Sequence, residues 1–154
     1  MTNTRIVIIE AFASVPKPNE IAAITPHQCP ECDEFAAHLM AYTYENLPAE
    51  IIEDHSADLP LLGPLALQHY LPAYMLYSLG HPKSNVMMFT IFHLTPSEGQ
   101  DEERKNYFQE RFGPFTQPQS TAIALFLDDV RNSPLQQEYW EELKRAALLW
   151  PTGT

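Results

Sequence analysis

The sequence predicts a mainly α-helical single domain packed around a central, proline-kinked helix, and three observations carry that expectation. From Leu59 to Pro82 there is no Asp, Glu, Lys or Arg, and Lys83 is the only such residue before Glu98. Charge is thus pushed to the two ends of the chain, and the middle becomes the core. Helix-start signals recur along the rest: Pro30, Pro48 and Pro64 suit first helical turns, and Thr116-Gln-Pro-Gln119 and Ser133-Pro-Leu-Gln136 have the form of a capping box. Only Val86-Met-Met-Phe-Thr-Ile-Phe92 has the composition of a buried strand, and no second strand offers it a partner. The 154 residues, 45% of them hydrophobic, suit one domain over residues 1–154. About seven or eight helices are expected, with at most one short strand pair.

In chain order, Asn3 to Ala13 reads as a helix, with Ile6, Ile9 and Phe12 on one side. Val15-Pro-Lys-Pro18 ends it, because a residue before proline is driven from the helical region. Asn19 to Ile24 has room for one or two turns. The next helix runs from Pro30 to about Asn46, with Phe35, Leu39 and Tyr42 inward, and a short one follows from Pro48 to Asp54. Pro64 to Gly80 is the central helix. Its inner positions are Leu67, Tyr70, Leu71 and Tyr74, and Gly80-His-Pro82 stops it. Pro72 removes a backbone donor and crowds the Gln68 carbonyl, so a kink or break near Leu71 is expected. Ser84 to Leu94 fits either a capped helix or a strand, and the missing strand partner favours helix. Asp101 to Phe112 carries acids first and Arg104, Lys105 and Arg111 later, as the helix dipole prefers. Thr116 opens a helix to Arg131, and Ser133 opens the last, which Pro151 stops.

Composition excludes some functions. The net charge is −11, from 20 acidic and nine basic residues. Such a surface repels phosphate backbones, so nucleic acid is not an expected partner, whereas a basic protein is. The uncharged stretch is long enough to span a bilayer, but Pro60, Gly63, Pro64, Gln68, His69 and Pro72 would leave polar groups in lipid. It reads as core, with no membrane partner. Ile6-Val-Ile-Ile9 is too short for a signal segment, and the two cysteines are too close together to staple a fold, so a cytoplasmic location is expected.

Three groups of residues bear on chemistry. Around Cys29-Pro-Glu-Cys32, His27 and the two thiols have the spacing of three zinc ligands, with a fourth to come from a distant His or acid. The same pair also fits a redox dithiol at a helix start, although Glu31, Asp33 and Glu34 oppose a thiolate and no strand precedes it. The plainest alternative is two half-buried thiols beside a helix start. His69, Tyr70 and Tyr74 on the central helix would line a pocket, or would simply pack in the core with their polar ends satisfied. Glu50, Glu53, Asp54, His55 and Asp58 form an acid–histidine group suited to proton transfer or cation binding, or to a solvated helix face. No nucleophile elbow, phosphate loop, zinc-protease or calcium-loop pattern occurs, so no catalytic residue is assigned.

His27-x-Cys29-x-Glu31-Cys32-Asp33-Glu34, Tyr70-Leu-Pro-Ala-Tyr74 and Phe115-Thr-x-x-Gln119 together resemble a family of small bacterial proteins classed as a domain of unknown function. The likeness runs from Ile9 to about Leu127. It implies a bacterial, cytosolic protein and transfers no activity.

The leading functional expectation is a non-catalytic acidic binding protein. A cytosolic immunity protein that neutralises a basic bacterial toxin fits this description. Its contact acids would be Glu98, Asp101, Glu102, Glu103, Asp128, Asp129, Glu138, Glu141 and Glu142. The alternatives are a small zinc-binding protein using His27, Cys29 and Cys32, and an enzyme with a pocket at His69, Tyr70 and Tyr74. Zinc is the one cofactor considered; the other two readings need none.

Overall fold

The structure is a computed structural model that describes residues 3–96 and 102–150. Among these, nine α-helices and two 3-10 turns are present and no strand. The helices are α1 (Thr4–Phe12), α2 (Ile21–Ile24), α3 (Pro30–Met40), α4 (Ala49–Asp54), α5 (Pro64–Gly80), α6 (Asn85–Leu94), α7 (Glu102–Phe112), α8 (Gln117–Arg131) and α9 (Trp140–Leu149). The 3-10 turns are Leu59–Leu61 and Pro134–Gln136.

Helix α5 is the hub. It packs against α1, α2, α4, α6 and α7, while α8 lies across α1 and α9. No residue from Ala66 to Met75 is exposed, so the helix is buried all round, as an uncharged helix surrounded by others should be. It runs unbroken from Pro64 to Gly80 across Pro72. Its start is tight: a Cβ on Gly63 would stand 3.0 Å from Pro26 Cγ and 3.2 Å from the Ala23 carbonyl. The Gly63 N–H instead donates to the Ile24 carbonyl at 2.9 Å, fastening α2 to the head of α5.

Burying α5 on every side also buries its polar groups, and each finds a partner. The Tyr70 hydroxyl lies 2.9 Å from the carbonyls of both Leu39 and Tyr42. Tyr74 donates to the His55 carbonyl at 3.0 Å, and Ser78 donates back to Tyr74 at 2.7 Å. Gln68 gives its amide to the Gln119 side chain at 2.8 Å and to the Pro114 carbonyl at 3.1 Å. Gln119 also closes the capping box of α8 and donates to the Ala11 carbonyl at 3.1 Å. One glutamine therefore joins α1, α5 and the start of α8. A buried polar group left unpaired would cost about 1–3 kcal/mol, so these bonds are what permits a polar central helix.

Ser84 to Leu94 is helical: Ser84 caps α6 by accepting the Met87 N–H at 3.2 Å. Two boundaries differ from expectation. The third helix ends at Met40 and not near Asn46, because the Asn46 side chain accepts the Thr43 N–H at 2.8 Å and closes a turn there. The final segment is split, because Ser133 accepts the Leu135 N–H and sets a 3-10 turn ahead of a separate α9. No helix of the described residues is long and apolar enough to cross a membrane.

Candidate functional site

The start of α3 carries the chemistry that the sequence singled out. Cys29 is the N-cap residue, with extended backbone, and Pro30 takes the first helical position, where its missing N–H costs nothing. The Cys29 sulfur accepts the Cys32 N–H at 3.1 Å, a capping role usually filled by Ser, Thr, Asp or Asn. Cys29 and Cys32 are joined as a disulfide. The two sulfurs differ in environment: Cys32 is fully buried, and Cys29 is partly exposed. The buried Thr25 hydroxyl holds the Cys32 carbonyl at 3.3 Å. Glu31 and Asp33 occupy the first turn, exposed.

His27 is exposed in the bend ahead of α3. Among the described residues, no three His, Cys, Asp or Glu side chains converge as a metal-ion site.

His69, Tyr70 and Tyr74 are brought together in the core, all three buried. The His69 Nδ1–H donates to the Val15 carbonyl at 3.2 Å, and its Nε2 accepts the Tyr44 N–H at 3.2 Å. That pattern fixes a neutral tautomer, and burial lowers the pKa of the ring in the same sense. Burial raises the Tyr70 hydroxyl to about 12 and Tyr74 further still, so both remain protonated donors. These residues tie segments 15, 39–44 and 55 to α5.

Part of the acid–histidine group is connected. His55 Nδ1 lies 2.8 Å from the Asp58 carboxylate, and His55 Nε2 lies 2.9 Å from His38 Nδ1. The carboxylate only accepts, so His55 donates to Asp58 through Nδ1–H. Phe35 stacks on the His55 ring at 4.5 Å between centroids. This row of contacts ends at the exposed face of α3. His38 lies six positions after Cys32, on a different face of α3, and that face brings it to His55. Of the other acids, Glu53 accepts the exposed Tyr77 hydroxyl at 2.6 Å.

The acids expected to meet a partner are spread over α7, α8, α9 and the turn before α9. Glu98 and Asp101 lie outside the described residues. Glu102, Glu103, Asp129, Glu138 and Glu141 are exposed, and Glu142 is half-buried. Asp128 is half-buried and pairs with Arg131.

A cavity of about 240 Å³, with no signal in the sequence, lies between the turn at residues 56–60, α6 and α7. Arg111, placed late in its helix as the dipole prefers, points inward and is buried. Its two terminal nitrogens donate to the carbonyls of Leu62 at 2.6 Å and Leu59 at 2.9 Å. One of them also lies 3.5 Å from His93 Nε2. Burial and the adjacent guanidinium push the His93 pKa down to about 3, which keeps the ring neutral near pH 7. The apolar neighbours of Arg111 on α7 gave no sequence signal, since its partners lie about fifty residues away.

The chain matches the model of DUF6714, a family of unknown function, over residues 4–152. No curated protein and no solved structure matches it. The chain belongs to this family of unknown function.

Proposed function

We propose that the chain is a thiol–disulfide exchange protein that uses Cys29 and Cys32 on a partner protein. The carrying observation is the asymmetric disulfide across the first turn of α3, with Cys29 reachable from water and Cys32 buried. A ring closed over so few residues constrains the unfolded chain far less than a long-range bridge does, which argues against a purely structural staple. The oxidised form takes electrons as follows. A thiolate of a partner dithiol attacks the Cys29 sulfur, the Cys29–Cys32 bond breaks, and Cys32 leaves as thiolate. The partner's second thiol, as thiolate, then attacks the mixed disulfide and releases Cys29. The partner ends as a disulfide and this chain as a dithiol, with two electrons transferred. The Cys32 N–H and the α3 N-terminus favour negative charge on Cys29, against the opposing charges of Glu31 and Asp33.

The test is trapping with a disulfide partner, whose bond the free Cys29 thiolate attacks with release of one partner thiolate. A Cys32→Ser chain should accumulate a mixed disulfide at Cys29, and a Cys29→Ser chain should not. Two thiols that resist exchange equally, or that are both held by one zinc ion per chain, would overturn the proposal in favour of a structural or metal role.

A second reading, the non-catalytic acidic binding protein, is favoured by the net charge of −11 and the exposed Asp129, Glu138 and Glu141. Its partner would be basic, as for an immunity protein against a basic toxin. Binding that is insensitive to salt would count against it.

A further inference from the structure

The cavity beside Arg111 plays no part in thiol chemistry, and its wall is unusual in one respect. Arg111 is 6% exposed and carries a full positive charge, yet among the described residues no carboxylate pairs with it. Its bonds to the Leu59 and Leu62 carbonyls satisfy two donors without neutralising the charge, and its Nε–H has no partner at all. Buried charges in proteins are otherwise paired, because desolvation without a counter-ion is expensive. The two carbonyls also fix the guanidinium in place, so an incoming anion meets a fork already oriented. Most of the remaining wall is apolar and aromatic, from Leu59, Pro60, Phe89, Phe92, Tyr107 and Phe108. At about 240 Å³ the space has room for a ring-sized ligand.

We propose that this cavity binds a small organic carboxylate with an apolar, ring-sized body, its carboxylate seated on the Arg111 guanidinium. Arg104 also lines the cavity, and Arg111 is the cation that backbone carbonyls fix against the aromatic wall, which matches an anion with an apolar end. A free phosphate would leave that wall unfilled.

Benzoate is the probe, titrated into the full chain by calorimetry and by NMR, with benzamide as the uncharged twin and inorganic phosphate as the anion without a ring. The expected result is saturable one-to-one binding of benzoate, with benzamide and phosphate at least about tenfold weaker, since losing a charge-assisted pair costs more than one factor of ten. Arg111→Lys should weaken benzoate by a similar factor. Arg111 also holds two backbone carbonyls, so Ala57→Phe serves as a second variant. Ala57 is exposed, lines the cavity and offers no hydrogen bond, and the added ring should exclude benzoate while the fold is kept. No saturable benzoate binding, equal binding of benzamide, tighter binding of phosphate, or unchanged affinity in the folded Ala57→Phe chain would each overturn the proposal.

Discussion

Acidification should weaken this fold through one residue, His93. Its pKa falls from an ordinary value near 6.5 to about 3 in the native state, first through burial and second through the charge of Arg111. The unfolded chain therefore binds a proton below about pH 6.5 that the native state refuses until near pH 3. Stability is intact above the unfolded value and is lost as pH falls below it. Each unit of pH in that window costs up to about 1.4 kcal/mol, so lowering the pH from about 7 to about 5 should remove about 2 kcal/mol through His93 alone. His69, also lowered by burial, acts in the same direction, so the comparison must be against a matched variant. His93→Gln keeps a polar side chain of similar size and cannot titrate. Urea unfolding followed by circular dichroism at both pH values gives the difference. Wild type should lose about 2 kcal/mol more than His93→Gln. Equal losses in the two proteins would refute the account of His93 as a half-buried ring that desolvation and the Arg111 charge hold neutral.

Other consequences follow from the polar ties. Gln119→Leu leaves Gln68 without its closest partner and the Ala11 carbonyl and the Thr116 N–H without a bond. A loss of about 2–4 kcal/mol is expected by urea unfolding. Thr116→Ala removes only the cap on the Gln119 N–H and should cost about 1 kcal/mol. The two should not add, since they dismantle one capping box; a double variant equal to the sum would contradict that coupling. Reducing the Cys29–Cys32 disulfide should lower stability by at most about 2 kcal/mol, because the ring is so short, and unfolding with and without reductant measures it.

The fold was legible where local chemistry and burial pointed the same way. Absence of charge located α5, and Thr116 with Gln119 located α8, because both signals act within one or two turns. Boundaries failed where a side chain chose a different local bond. Asn46 turns back to Thr43 and stops α3 early, although Tyr42 continues the apolar spacing. Ser133 bonds the Leu135 N–H, and the expected long final helix becomes a 3-10 turn and α9. Of the candidate sites, the cysteine pair could be placed at a helix start, since Pro30 marks a first helical turn, but its spacing left zinc, redox and plain-thiol roles open. The identity of His38 as the partner of His55 could not, because it depends on how α3 meets the turn after α4. Arg111 was invisible for the same reason: in sequence it is an ordinary cation near a helix end, and only tertiary packing brings the carbonyls of Leu59 and Leu62 and the ring of His93 around it.

The most direct test of the central claim is the reduction potential of the Cys29–Cys32 couple, measured by equilibrating the untagged full chain in glutathione buffers and counting free thiols by mass. An exchange protein should equilibrate readily, with a potential between about −270 and −180 mV, where dithiol proteins that trade electrons lie. A potential below about −300 mV, or thiols that vary with bound zinc and not with the buffer, would contradict the claim and leave the cysteine pair a structural element or a metal ligand.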